Sequence, residues 1–161
     1  MSVTFNFGTG SQATAVSKSM KPWNYSAAFR IQSDNGSVAR MTDILTPLDK
    51  KTTIKVSLDR IANVYSTLAD NAVPVAEQSA NVSGQTVFVE LKTIATRVDG
   101  NVTIQVPMVS RLELRLPNDA NIAESDVEAL VMATYAALCD NTGNCIVTSE
   151  KMRGALTPVG L

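Results

Sequence analysis

The longest regular pattern in the sequence is an alternation of apolar and polar residues from Val102 to Pro117. Most even-numbered positions are apolar, namely Val102, Ile104, Val106, Met108, Leu112, Leu114 and Leu116. The odd-numbered positions include the polar residues Thr103, Gln105, Arg111, Glu113 and Arg115. Because successive side chains of a strand point to opposite faces, this pattern predicts a long strand with one apolar face and one polar face.

A helix is predicted to follow this strand. Ser125 and Glu128 have the spacing of a capping box, in which each side chain accepts a hydrogen bond from a backbone amide at the start of the helix. Apolar residues then recur at helical spacing, at Val127, Leu130, Val131 and Leu138. With a shorter second helix that begins at Ser149 and ends before Pro158, the sequence predicts two helices within residues 125–157.

Four earlier segments have the alternation or the turn signals of strands. They are residues 27–32, 38–44, 51–58 and 86–98. Together with the strand at 102–117 they predict a sheet of five or more strands over residues 27–117, preceded by a β-hairpin over residues 1–18. Residues 59–84 are expected to form an insertion, for which the spacing allows either a short helix or a continued strand. The predicted fold class is α+β in a single domain.

The composition restricts the chemistry that is available to the chain. The sequence has 161 residues, no histidine and two cysteines, and it lacks a phosphate-binding glycine motif. Without histidine, imidazole-based catalysis and the usual zinc ligand sets are excluded. We therefore expect no enzyme activity, no catalytic residues, no metal site and no cofactor. Cys139 and Cys145 are expected to be reduced thiols at a turn, with a small disulfide loop as the alternative.

Charge and hydropathy give further limits. Hydrophobic residues make up 45% of the chain and charged residues 18%, which is typical of a folded protein, and the formal net charge is −1. No apolar run approaches the ~20 residues of a membrane span, and the N-terminal residues do not resemble a secretion signal. We therefore expect a soluble protein that is made in the cytoplasm and has no membrane partner.

The predicted sheet has more apolar surface than the predicted helices can cover. A helix of about 13 residues is only ~20 Å long, which is too short to cover five strands. A second copy of the chain that lays its helices over the sheet would supply the missing cover, and pairing of the sheet edges would remove exposed strand edges. The sequence therefore predicts an obligate homodimer.

Several local sequences, taken in order, resemble the coat proteins of single-stranded RNA bacteriophages, the leviviruses. The similar segments are residues 35–39, 47–57, 89–96, 112–117 and 125–128. The resemblance implies an N-terminal hairpin, a five-stranded antiparallel sheet and two C-terminal helices that interlock with those of a partner. It also implies a virion protein, made in the cytoplasm of a bacterial host, whose dimers build an icosahedral shell.

In that family the polar face of the sheet binds an RNA hairpin that signals packaging and represses translation. Lysine and arginine suit phosphates, hydroxyls suit phosphates or base edges, and Phe88 could stack on an unpaired base. By position, the resemblance implies that the RNA-binding residues are Lys51, Thr53, Lys55, Thr86, Phe88, Val109 and Arg111. Val109 stands where many members have a stacking tyrosine, and Phe88 stands where they have a lysine. The alternative hypothesis is a cellular, β-rich, dimeric interaction module whose polar sheet face is only solvated.

Overall fold

A computed structural model describes residues 22–67, 73–139 and 144–145 of the chain. The chain divides into two compact units, one comprising Lys21–Asp119 and the other comprising Met1–Met20 with Ala120–Leu161. The predicted N-terminal hairpin and the predicted second helix lie outside the described residues.

The first unit is built on one antiparallel sheet. Its strands are β1 (Phe29–Asp34), β2 (Val38–Asp43), β3 (Thr53–Ile61), β4 (Gly84–Asp99) and β5 (Val102–Pro117). They are hydrogen-bonded in the order β1-β2-β3-β4-β5, so each strand pairs with its neighbour in the sequence. A short helix, α1 (Tyr25–Ala28), precedes β1. The five-stranded antiparallel sheet that the resemblance implied is therefore confirmed, and β5 has the predicted bounds.

Two tight turns connect strands at positions where glycine is required. Between β1 and β2, Gly36 has φ 80°, and the Asn35 side chain accepts hydrogen bonds from the amides of Ser37 and Val38 at 3.1 and 2.7 Å. Between β4 and β5, a two-residue turn has Gly100 at φ 59° in its first position. Both φ values lie in the left-handed region of backbone conformation. Residues with a Cβ rarely adopt this region, which explains why both positions are glycine.

The strand register separates two faces of the sheet. The apolar face comprises mainly Met41, Ile54, Val56, Leu58, Val87, Val89, Leu91, Leu112, Leu114 and Leu116. Only Ile54 is buried among these residues, and Leu58 is 44% exposed. Among all described residues, the buried hydrophobic side chains are those of Phe29, Ile54 and Cys139. Within the described part of a single chain, most side chains of this face are thus only partly buried.

Strands β4 and β5 extend past the rest of the sheet. The pairing of β3 with β4 ends at Thr53 and Lys92, whereas the pairing of β4 with β5 continues to Asp99 and Val102. We call residues 93–99 and 102–108 the β4–β5 ribbon. At ~3.3 Å per residue it is ~20 Å long. It presents exposed apolar side chains, including Val98, Val102, Ile104, Val106 and Met108.

The segment between β3 and β4 is neither a helix nor a continuous strand. Strand β3 continues to Ile61, and two short 3-10 turns follow, at Val64–Thr67 and Val75–Glu77. The amide of Val64 donates to the carbonyl of Val82 at 2.9 Å, which returns the chain to β4. A Cβ at Gly84 would overlap the Val64 side chain and lie 2.6 Å from the Leu116 carbonyl oxygen, so only glycine fits there.

In the second unit, helix α2 spans Glu124–Ala136 and none of its residues is buried. Its predicted capping box is wrong, because the helix begins before Ser125. The N-cap is Ala123, whose amide donates to Asp126 Oδ2 at 2.8 Å, while the methyl side chain of Ala123 accepts nothing in return. Leu138 lies beyond the end of the helix.

The two cysteines lie opposite each other just after α2. Cys139 and Cys145 form an isolated antiparallel bridge through their backbones, and both thiols are free. Cys139 is buried, and its Sγ donates to the Tyr135 carbonyl at 3.5 Å, whereas Cys145 is exposed.

Candidate nucleic-acid interface

The second face of the sheet, which we call the polar face, carries most of the charged side chains of the strands. The register places six cations on it, namely Arg30, Arg40, Lys55, Lys92, Arg111 and Arg115. Three carboxylates share this face, those of Asp59, Glu90 and Glu113. The polar face therefore has a surplus of three positive charges, although the formal net charge of the whole chain is −1.

Four of these charged residues form one row across the sheet, which we call the central row. Arg40 on β2 is opposite Lys55 on β3, Lys55 is opposite Glu90 on β4, and Glu90 is opposite Arg111 on β5. Lys92 lies two residues along β4 from Glu90, on the same face. Neighbouring strands are ~4.8 Å apart, so the row places three cations within ~15 Å of one another.

Glu90 organises two of the cations. Its Oε1 lies 2.9 Å from Lys92 Nζ, and its Oε2 accepts a hydrogen bond from Arg111 Nε at 2.7 Å. Glu90 itself is only 8% exposed. These hydrogen bonds, from Lys92 first and then Arg111, lower the pKa of Glu90 to about 2. The carboxylate is therefore ionised at neutral pH and holds both cations over the centre of the sheet.

The other two cations of the central row are not neutralised in this way. Within residues 22–67 and 73–139, neither Arg40 nor Lys55 makes an ion pair. Lys55 Nζ lies 5.7 Å from the centre of the Phe88 ring, which is a cation–π distance. The sheet thus presents two cations without carboxylate partners beside a half-buried aromatic ring.

Three residues of the central row, Arg40, Lys55 and Glu90, line a shallow depression of about 350 Å³. Its lining residues are Gln32, Arg40, Thr53, Ile54, Lys55, Glu90 and Lys92. Three cations and the hydroxyl of Thr53 could each donate to a phosphate oxygen in this depression.

No cluster of residues suited to hold a metal ion is present in the described ranges. No helix among the described residues is long and apolar enough to cross a membrane.

The structure places six of the seven predicted site residues on the polar face. They are Thr53, Lys55, Thr86, Phe88, Val109 and Arg111. Lys51 is not in the sheet, because a 3-10 turn over Leu48–Lys50 delays the start of β3 to Thr53. Instead, Lys51 contributes to the lowered pKa of Asp43, although the largest cause of that shift is the hydrogen bond from the Thr46 hydroxyl.

Two cations that line the depression, Arg40 and Lys92, were not among the predicted site residues. Arg40 lies beside Lys55 in the central row, and Lys92 contacts Glu90. Lys92 is an even number of residues from Phe88 and Glu90 in the same strand, so the sequence alone could have placed it on the same face. Glu90 pairs across strands with Arg111, at 2.7 Å, whereas Glu113 pairs along its own strand with Arg115, at 2.9 Å.

The fold is the coat fold of RNA bacteriophages, which the resemblance in the sequence implied. The protein in the virus-like particle of bacteriophage AVE015 is similar to this chain with a TM-score of 0.80 and 22% identity, over 99% of both chains. The protein in the virus-like particle of bacteriophage GQ-112 is similar with a TM-score of 0.70 and 16% identity, over 97% of both chains. No family model and no curated protein sequence matches the chain.

Proposed function

We propose that this chain is a capsid protein, which dimerises and assembles into an icosahedral shell around single-stranded viral RNA. The observation that carries the proposal is the fold match, along 99% of both chains, to the protein of the AVE015 virus-like particle. In this proposal the protein is structural and not enzymatic, is made in the cytoplasm of a bacterial host and resides in the virion.

The uncovered apolar face supports dimerisation. Leu58 is 44% exposed, and Met132 and Tyr135 of α2 are 51% and 39% exposed. Full burial of a Leu, Val or Met side chain stabilises by ~1.5–3 kcal/mol. Helices of a second copy that cover this face would therefore contribute stability that the described part of one chain lacks. Lateral pairing of sheet edges would also remove the open edge of β5.

The polar face supports RNA binding. Arg40 and Lys55 have no carboxylate partner among the described residues, and Glu90 holds Lys92 and Arg111 beside them. Cations in a row suit the regular spacing of phosphates, and Phe88 offers a ring on which an unpaired base could stack. We infer that phosphate contacts dominate. The side chain of Val109 has no polar group that could recognise a base. We nevertheless include in the proposal that the chain binds an RNA hairpin that signals packaging and represses translation.

The β4–β5 ribbon supports assembly beyond the dimer. It is two strands wide, extends past the sheet and exposes apolar side chains such as Val98 at 70% and Val102 at 59%. Scattered apolar residues are common on surfaces, but a projecting ribbon that carries several of them suits contacts between subunits of a shell.

Expression of the chain in bacteria, followed by size-exclusion chromatography and negative-stain microscopy, tests the proposal. We expect particles of megadalton size that contain nuclease-protected RNA. A monomer free of nucleic acid would contradict the proposal. A stable dimer that does not assemble at any salt concentration, with or without added RNA, would favour the alternative of a cellular interaction module.

A further inference from the structure

The turn between β1 and β2 contains Asn35, the only asparagine in the sequence that is followed by glycine. Asp34, Asn35 and Gly36 are all exposed, so water reaches them. An asparagine loses ammonia when the backbone nitrogen of the next residue attacks its side-chain carbonyl carbon and closes a five-membered ring. Because glycine has no Cβ, it hinders this attack less than any other residue. Of the asparagines in the sequence, Asn35 is therefore the one with the least hindered neighbour.

The attacking nitrogen has a carboxylate beside it. The amide of Gly36 donates to Asp34 Oδ1 at 2.9 Å. A backbone amide nitrogen becomes a nucleophile only as it gives up its proton, and a carboxylate within hydrogen-bond distance can accept that proton as a general base. Asp34 is therefore placed to assist an attack by Gly36 N on Asn35.

The carbonyl that would be attacked is held by two backbone amides. Asn35 Oδ1 accepts hydrogen bonds from the amides of Ser37 and Val38, at 3.1 and 2.7 Å. These donors draw electron density away from the carbonyl carbon Cγ. They would also stabilise the negative charge that develops on Oδ1 during the attack, as the donors of an oxyanion hole do. Residues 34–38 thus combine a nucleophile, a base and oxyanion donors.

We propose that Asn35 is a site of spontaneous deamidation, with water as the only co-reactant. In the first step a bond forms between Gly36 N and Asn35 Cγ, the bond between Cγ and Nδ2 breaks, and ammonia leaves with the proton that Gly36 N gives up. In the second step water opens the cyclic imide at either of its two carbonyls. The product is aspartate or isoaspartate at position 35, and the chain gains one negative charge without any oxidation or reduction.

The new carboxylate would lie beside the two cations of the central row that have no ion pair among the described residues. Asn35, Arg40 and Lys55 line a second shallow depression of about 350 Å³, together with Asp34. Two cations and one carboxylate line this depression before deamidation, and two of each would line it afterwards. Deamidation would therefore cancel its positive surplus and weaken its attraction for phosphates. This consequence rests on the proposed RNA binding, whereas the modification itself does not.

Mass spectrometry of tryptic peptides tests the modification. The purified protein is incubated at mildly alkaline pH, and the peptide of residues 31–40 is followed for a mass increase of one unit, which fragmentation assigns to Asn35. Asn81 is the matched reference, because it is also exposed and its Oδ1 also accepts an amide, that of Ser83 at 3.1 Å, but valine follows it. Valine is branched at Cβ and hinders attack by its own nitrogen. We expect Asn35 to deamidate more than about tenfold faster than Asn81, and equal rates would overturn the proposal.

Two variants test the chemistry of the turn. Asp34→Ser leaves an oxygen that can accept from the Gly36 amide but removes the carboxylate, so we expect deamidation at Asn35 to slow by at least about threefold. A rate as fast as in the unaltered protein would overturn the role of Asp34 as the base. Asn35→Gln leaves an amide at position 35, but the same attack would have to close a six-membered ring, so we expect no mass increase in its peptide. An unchanged mass increase in Asn35→Gln would place the reaction at Gln32 of the same peptide and overturn the assignment to Asn35.

Fluorescence anisotropy with a labelled single-stranded RNA tests the consequence for binding. Asn35→Asp introduces the charge of the product, and Asn35→Gln is its neutral counterpart. We expect Asn35→Asp to bind about two- to fivefold more weakly than Asn35→Gln at low salt, with a difference that shrinks as the salt concentration rises. Equal affinities of the two variants would overturn the consequence for binding. Failure of both variants and of the unaltered protein to bind RNA would overturn the proposed function, whereas the peptide data alone decide the modification.

Discussion

Glu90 and Arg111 face each other across strands β4 and β5, with Glu90 Oε2 accepting from Arg111 Nε at 2.7 Å. Their side chains differ in exposure, at 11% for Glu90 and 62% for Arg111. The carboxylate is therefore held within the surface of the sheet while the guanidinium remains accessible. Glu90 thus neutralises part of the positive charge of Lys92 and Arg111, whereas Arg40 and Lys55 lie opposite each other with no ion pair among the described residues.

The ion pairs of Glu90 should make folding stability depend on pH in acid. The pKa of Glu90 is lowered from 4.5 to about 2 in the folded protein. The unfolded chain therefore binds this proton more readily, so the stabilisation is present above pH 4.5 and is lost as the pH falls toward 2. We expect urea unfolding at several pH values to show this loss, and Glu90→Gln to reduce it. Glu113→Gln is the control, since its exposed pair with Arg115 contributes little.

Lys55 should contribute one phosphate contact to RNA binding. Lys55→Ala is expected to weaken binding and to reduce the slope of log affinity against log salt concentration by about one. Fluorescence anisotropy with a labelled single-stranded RNA measures both. Arg60→Ala is the matched control, because Arg60 is exposed on the opposite face of the sheet. An unchanged slope for Lys55→Ala would remove Lys55 from the contacts.

Phe88 should act by stacking and not by charge. Phe88→Leu keeps an apolar side chain of similar size but removes the ring, so we expect a loss of roughly 1–3 kcal/mol in RNA binding free energy at constant salt slope. The same anisotropy titration distinguishes this result from that of Lys55→Ala. Affinity equal to that of the unaltered protein would show that no base stacks on Phe88.

Thr42 carries a buried hydroxyl without a hydrogen-bond partner, and its side chain is 5% exposed. Thr42→Val replaces this hydroxyl with a methyl group of similar shape and should stabilise the fold by ~1 kcal/mol. Thr52→Val is the control and should have the opposite sign, because the Thr52 hydroxyl is hydrogen-bonded to that of Thr93 at 2.9 Å. Urea unfolding of the two variants, with equal m-values, measures the difference.

The local pattern was sufficient to predict the strands and their faces. The alternation from Val102 to Pro117 predicted both ends of β5 correctly, because a glycine turn comes before its first residue and a proline is its last residue. The helix was predicted two residues too late, with its N-cap at Ser125 instead of Ala123. Asp126 and Glu128 each provide a carboxylate near the start of a helix, and sequence spacing alone does not decide between them.

The composition of the central row could not be predicted in the same way. That Arg40, Lys55, Glu90 and Arg111 lie in one line depends on the register of three strand pairs, which is set by turns and by packing between segments distant in sequence. The 3-10 turn that follows Pro47, and that leaves Lys51 outside the sheet, could likewise not be predicted from the alternation. The alternation of residues in each strand was therefore enough to predict which residues lie on the polar face. Which of them are neighbours across strands could be seen only in the structure.

The β4–β5 ribbon has a consequence for the timing of assembly. Two strands without a third are only marginally stable in water, so the ribbon of a free subunit is expected to fray at its tip and to become ordered when neighbours pack against it. Each new contact between subunits would then cost the entropy of ordering a ribbon before burial of apolar surface stabilises it. The first contacts would therefore have an unfavourable free energy and the later ones a favourable free energy. In the proposed shell, we therefore expect growth with a lag and a critical subunit concentration, because ordering of this hairpin would oppose the first contacts.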